Sequence, residues 1–349
     1  MLWTTPTAVS PPGRVALVSL ELPETQQPHR LAPAGSMLWR STSSMQLEVG
    51  SHRLIVDGMT EAAARELLSE TAPVDGDPDV QRLRAQLGDR GYLWPPAEGF
   101  VPPVPRLAAE LTALSARCGQ DASDRLAARG RRTVVVQGHG RVGSLVAAVL
   151  GAAGVGRVHV GDSAATQLVH AIPGGARPSD ESTSLSAAAA AAILAAAPEV
   201  DVTPPAFGHS ADLVVLAVDG PVDSDVRDAL HAREASHLQV AVTSAAGVVG
   251  PLVVPRVTSC LACSDLHRRD RDPAWPALAV QLTLSRRHPR SGEIAACVAT
   301  AGIAAGQALA FLDGELPEVL EGTLELHPPD WRVRRRTWPA HPDCGCMLR

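Results

Sequence analysis

Thr133-Val-Val-Val-Gln-Gly-His-Gly-Arg-Val-Gly143 is the stretch that decides the fold. A short β-branched run leads into a Gly-x-Gly-x-x-Gly loop, which opens a helix expected to last until about Ala153, where Gly154 is a natural stop. A second strand, Arg157 to Val160, ends at Asp162, 19 residues beyond the last glycine. Strand, glycine loop, helix, strand and acid, in that order, form a nucleotide-binding α/β unit. The glycines Gly138, Gly140 and Gly143 let backbone N–H groups approach phosphate at a helix N-terminus, and the Asp162 carboxylate accepts from ribose hydroxyls. A tight strand-to-helix turn with no ligand uses the same residues.

Further along, Asp212-Leu-Val-Val-Leu-Ala-Val218 reads as a buried strand that delivers Asp219 to the same carboxyl edge of a parallel sheet. An Asp before Gly220-Pro221 is also a common turn residue. Ser184 to Ala197 is alanine-rich and helical, stopped by Pro198. Ile294 to Leu312 has the length of a membrane span and a Gly302/Gly306 pair at GxxxG spacing. Its alanines, Thr300 and Gln307 favour a buried soluble helix instead.

Six cysteines include two close pairs, Cys260-Leu-Ala-Cys263 in a turn and Cys344-Gly-Cys346 near the chain end. Such pairs suit a closed tetrahedral four-thiolate zinc site that pins the tail to the body. Two disulfides or free thiols are the alternative, and His341 is a further candidate ligand. Cys118 and Cys297 read as plain helical residues. The chain starts without the basic-then-apolar order of a secretory signal, so a cytoplasmic, reducing setting is expected. A net charge of −6 gives no support to nucleic-acid binding. All 31 basic residues are arginine, so no mechanism that needs a lysine can operate.

At 349 residues the chain suggests two domains. Residues 1–95 read as a small winged-helix-like α+β domain, with strands at Met45–Val49 and Leu54–Val56. Two helices follow, one capped by Thr60 and one ended by Gly88. Residues 96–130 form a proline-rich linker and a connecting helix from about Leu107 to Arg129, and residues 131–349 form the nucleotide-fold domain. Arg268 to Asp272 alternates in charge sign and reads as surface ion pairs. Arg332 to Arg336 reads as a basic sheet edge.

The glycine loop, Asp162, the strand ending at Asp219 and Gly250-Pro-Leu-Val-Val-Pro255 leading into the CxxC pair resemble the ThiF/MoeB/ubiquitin-activating-enzyme superfamily over about residues 131 to 349. The resemblance implies a Rossmann-like fold, homodimers, and ATP- and magnesium-dependent adenylation of a carboxylate, with Asp162 at the ribose and Asp219 at magnesium. The departures concern charge. Ser163-Ala-Ala-Thr-Gln167 stands where the family has SNLxRQ, Arg141 replaces a loop glycine, Gly220 replaces an Asn, and the phosphate-binding lysine is absent. The N-terminal part resembles PqqD-like leader-recognition modules fused to degenerate ThiF domains. That resemblance implies a partner protein that captures a precursor or leader peptide for a YcaO-type cyclodehydratase. A working adenylyltransferase, with Arg141 or Arg177 replacing the lysine, is the alternative. A dinucleotide-dependent oxidoreductase leaves the cysteines unexplained.

Overall fold

The computed structural model describes residues 31–32, 34–69, 76–93, 102–138, 140–206, 209–243, 246–284 and 292–347. The chain forms two compact units, Met1–Glu98 and Gly99–Arg349.

In the first unit β1 (Gly35–Ser41), β2 (Ser44–Val49) and β3 (His52–Asp57) form an antiparallel sheet in that order, followed by α1 (Glu61–Leu67) and α2 (Pro78–Asp89). The expected Thr60 cap is present, its Oγ1 accepting the Ala63 N–H at 3.1 Å. Gly88 lies inside α2, which ends where the Arg90 N–H closes on the Gln86 carbonyl. Met45 and Leu47 of β2 pack with Leu67, Val80 and Leu87 from the helices, so one face of the sheet is covered. On the other face Leu38, Gln46 and Ile55 stand in register across the three strands, and Leu38 and Ile55 are exposed. That outward Leu38 breaks the alternation of β1, which is why this strand is hard to see in the sequence.

The second unit opens with α3 (Ala108–Cys118) and α4 (Ala122–Arg129). The single helix expected from Leu107 to Arg129 is interrupted because Gly119 takes a φ of 61° and turns the chain out of the helical path. Then follow β4 (Thr133–Gln137), α5 (Arg141–Ala152), β5 (Arg157–Gly161), α6 (Leu185–Ala196), β6 (Leu213–Ala217), α7 (Ser224–Ala232), β7 (His237–Val242) and β8 (Gly247–Val253). After these come α8 (Leu261–Arg271), α9 (Trp275–Leu284), α10 (Ile294–Leu312), β9 (Gly322–His327) and β10 (Arg332–Thr337). The sheet runs β10-β9-β8-β7-β6-β4-β5; β5, β4, β6 and β7 are parallel, and pairing from β7 outward to β10 is antiparallel. This is a mixed α/β sheet with β10 and its arginines at an edge.

Among the described helices only α10 is long and apolar enough to cross a membrane. Its inner residues Ala296, Ala301, Ala304, Ala305 and Ala308 are built into the core with β4, β7 and α5. The approach is close enough that a Cβ on Gly247 of β8 would lie 1.8 Å from the Thr300 hydroxyl.

Arg129 fastens the opening helices to the body. It is fully buried and donates to both oxygens of Asp313 at 3.0 and 2.6 Å, to Glu110 at 2.6 Å and to the Ala153 carbonyl at 2.8 Å. The ends of α3, α4, α5 and α10 therefore meet on one guanidinium. Arg129→Ala leaves the Asp313 carboxylate buried and unpaired, which costs about 3–5 kcal/mol. The expected thermal midpoint falls by about 10 °C or more in calorimetry. An Arg129→Met/Asp313→Leu pair should recover most of that loss, because neither charge then remains stranded.

Candidate functional site

Strand β4 lies between β5 and β6, and all three run the same way. Their carboxyl ends therefore bring the glycine loop, Asp162 just beyond β5 and Asp219 just beyond β6 to one edge of the sheet. The three glycines have three different physical reasons. Gly138, at φ 111°, touches the end of β6 so closely that a Cβ would sit 2.1 Å from the Ala217 carbonyl oxygen. Gly140, at φ 104°, faces open space, so its backbone can be approached from outside. Gly143 sets α5 against the sheet, with a Cβ position 3.2 Å from the Ala217 methyl. This division into turn, open approach and close packing is what a nucleotide-binding loop needs.

Asp162 Oδ1 accepts the Ala164 N–H at 2.9 Å, and its carbonyl accepts the Ser186 N–H at 3.0 Å, tying the end of β5 to the start of α6. Arg141, the first residue of α5, turns toward the start of α10. Its Nη1 donates to the Gly292 carbonyl at 3.2 Å, and its Nε is buried without a hydrogen-bond partner among the described residues. It also reaches Cys297, a thiol pushed up by burial and drawn part of the way back by the arginine. Arg177 is exposed in the loop between β5 and α6. The loop backbone fits the approach of a phosphate. The charge set of an ATP–magnesium site does not fit, because lysine is absent from the whole chain and Ser163 to Gln167 supplies no cation.

The second centre is the cysteine cluster. Cys260 precedes α8 and Cys263 lies within its first turn, so the pair sits on a helix start and not in a free turn. The sulfur of Cys260 is 3.8 Å from that of Cys263 and 3.6 Å from that of Cys344, and Cys263 is 3.5 Å from Cys346. A Zn–S bond of about 2.3 Å in a tetrahedron requires S···S separations near 3.8 Å, whereas a disulfide needs about 2.05 Å. The separations match the first and exclude the second, so these four residues could hold a metal ion. Hydrogen bonding from Cys260 and from backbone N–H groups holds the Cys263 thiol below its usual range, and burial pushes Cys346 above it. His341 is committed elsewhere: Nε2 faces Asp270 at 2.7 Å and Nδ1 accepts the Asp343 N–H at 3.1 Å.

Trp338 secures the tail. It is buried, its Nε1 donates to Thr323 Oγ1 at 3.1 Å, and its carbonyl accepts from Ser259 Oγ at 2.6 Å. Arg268 lies 4.9 Å from its ring and 5.1 Å from that of Trp275. Arg268 is thus a half-buried cation, stacked on two indoles and paired with Asp265 at 3.1 Å, where the sequence predicts surface pairing alone for the Arg268–Asp272 run. Trp338, Trp275 and the buried His237 escape sequence reasoning because isolated residues of these types carry no spacing signal.

The sequence matches the ThiF family over residues 112–347. The chain belongs to that family. Curated protein sequences give no match. Among solved structures, E. coli MccB with succinimide is similar at a TM-score of 0.68 and 15% identity, covering 91% of this chain and 98% of that one. The microcin C7 biosynthetic enzyme MccB in complex with N-formylated MccA gives 0.66 and 14%, with shares of 91% and 98%. PaaA gives 0.64 and 16%, with shares of 88% and 99%. At these identities the likeness is one of fold. A share of 91% exceeds what Gly99–Arg349 alone can supply, so it takes in the N-terminal unit of this ThiF protein.

Elemental analysis of the purified ThiF protein should find one metal ion per chain. Cys263→Ser should lose it together with thermal stability, since metal binding at such a site contributes folding free energy. Metal-free wild-type protein with an unchanged melting temperature would contradict the assignment.

Proposed function

We propose that this ThiF protein binds a precursor or leader peptide through its N-terminal unit, residues 1–95, and presents it to a partner enzyme without adenylating it. The observation that carries the reading is the outer edge of β3, unpaired among the described residues and beside exposed Ile55, in a chain whose glycine loop keeps its shape but lacks the cations of the family. An extended peptide added to β3 would gain main-chain hydrogen bonds, with side chains taken alternately by the two faces. MccB is a solved neighbour described in complex with a peptide, N-formylated MccA, which supports a peptide as the partner. The winged-helix-like character of the unit and a YcaO-type cyclodehydratase as the receiving enzyme belong to the same reading.

In this reading zinc is the metal at Cys260, Cys263, Cys344 and Cys346, and its role is structural, since four protein ligands leave no open position. Unbonded thiols accord with a cytoplasmic, reducing setting. Gly138, Gly140, Gly143, Asp162 and Asp219 are the residues that would meet a nucleotide, should one bind. The alternative, an adenylyltransferase, is favoured by one observation: Arg141 stands beside the glycine loop with a buried Nε that has no partner among the described residues. Arginine binds phosphate well through its fork.

Two measurements on the full chain separate these readings. Pyrophosphate exchange with ATP, magnesium and candidate peptides is expected at background, because losing preorganised charge costs about 10²–10³ in rate per contact. Fluorescence anisotropy is expected to show leader binding that Ile55→Glu weakens about tenfold with no change in melting temperature. Robust exchange abolished by Asp219→Ala would favour the adenylyltransferase.

The same reading makes the protein a homodimer. Ile294 and Val298 are exposed on α10, and Gly302 and Gly306 continue that four-residue spacing on its exposed side, so a second copy can pack closely there. Light scattering should give a dimer mass for the wild type and a monomer for Val298→Arg. A monomeric wild type at micromolar concentration would remove this part of the proposal.

A further inference from the structure

A cavity of about 560 Å³ abuts the cysteine cluster, walled by α7, α8, α9 and the C-terminal tail. Its volume is in the range of small-molecule sites, and no part of the peptide reading uses it. Helix α9 supplies apolar surface, including Trp275, and the charged groups come from the other walls. Arg227 already faces Asp228 at 3.0 Å and Asp265 at 3.8 Å, and Arg269 faces Asp270 at 2.9 Å and Asp343 at 3.1 Å. Three carboxylates thus line the cavity against two guanidinium groups that are each set between two acids; Asp265 also accepts from Arg268 at 3.1 Å, which leaves Asp228 and Asp343 as the carboxylates shared least. Four thiolates around a divalent ion would deepen the negative balance.

His237 of β7 also lines the cavity and is 1% exposed. Its Nδ1 donates to the Ala235 carbonyl at 2.8 Å, which leaves Nε2 with the lone pair. Burial holds this imidazole below its usual pKa, so it stays neutral at pH 7. Nε2 is buried and has no hydrogen-bond partner among the described residues. A buried acceptor in that state is costly, and only a donor can relieve it.

We propose that this cavity binds an organic cation, an ammonium or guanidinium group on an apolar stem. The stem would lie along Trp275, while N–H groups are met by His237 Nε2 and by the carboxylates of Asp228 and Asp343. Anions are disfavoured by the same carboxylates. The cation could be a free amine or guanidine, or the side chain of a basic residue in a peptide. The proposal is independent of the β3 reading, and a chain that binds no leader would leave it standing.

Calorimetry on the full chain tests it, with agmatine as the free cation, pentanoate as an anion of similar stem, and the blocked tripeptide acetyl-Gly-Arg-Gly-amide as the peptide arm. Agmatine or the tripeptide should saturate at one per chain and pentanoate should not. Tighter binding of the tripeptide assigns the site to a peptide side chain, and tighter binding of agmatine assigns it to a free small molecule. His237→Phe should weaken the cation about tenfold, the effect of one unmet buried hydrogen bond. The Asp228→Asn/Asp343→Asn pair changes two mostly exposed side chains, so it tests the charge requirement without disturbing the core. It should weaken agmatine by about the same factor. No saturable cation binding, equal binding of pentanoate, or unchanged affinity in the double variant would overturn the proposal.

Discussion

The contact between Gly138 and the carbonyl end of β6 governs the rest of the nucleotide-fold unit. The chain leaving β4 must pass so near Ala217 that no side chain fits between them. That passage aims the N-terminus of α5 at the carboxyl edge of the sheet, lets Gly143 seat the helix on the same Ala217, and places Asp162 and Asp219 on either side of the loop. The requirement is steric and applies whether or not a phosphate is bound. A chain can therefore keep its glycines for the crossing while its charges drift. Gly140 is held to glycine by its backbone, at φ 104°, since nothing among the described residues crowds its missing side chain.

What can be read from the sequence is what repeats or is local. The β-branched run into Gly138, the alanine helix stopped at Pro198 and the apolar helix Ile294–Leu312 each announce themselves by periodicity or punctuation, and the observed elements follow them closely. The outer half of the sheet is harder. Strands β7 and β8 read as one apolar run, and only the structure shows where the first ends and the second begins; the four residues between them are too few for a parallel crossover, so the antiparallel pairing follows from that boundary. Gly119 breaks a helix that composition alone would run through.

The candidate sites divide along the same line. Cysteine spacing points to four ligands, and the sulfur separations bring those four together. His341, near in sequence, holds Asp270 and the backbone of Asp343 instead, a distinction of orientation that no spacing encodes. Arg268 looks like a member of a solvated charge run. It is drawn partly inside because two indole rings, one of them about seventy positions away, offer it faces to stack on. Burial of a lone polar residue depends on partners that are distant in the chain, which is why His237 carries no mark at all.

The far placement of the two cysteine pairs also explains what the cluster does for the fold. Cys260 and Cys344 are 84 positions apart, and Cys263 and Cys346 are 83 apart. By the chain-entropy argument for covalent cross-links, closing a loop of that length removes about 4–5 kcal/mol of conformational freedom from the unfolded state. Among the described residues the segment after Thr337 has no strand or α-helix to hold it, and it is docked by the carbonyl and ring of Trp338, the contacts of His267 with the Pro339 carbonyl and of Arg269 with Asp343, the turn at His341 and the sulfurs. Trp338 in turn supports Arg268 on α8, the helix that begins at Cys260. Cluster, indole and helix therefore form one closed set of contacts. Loosening the tail would also open the cavity walled by α7, α8 and α9, so any ligand held there would stabilise the same clamp from the other side.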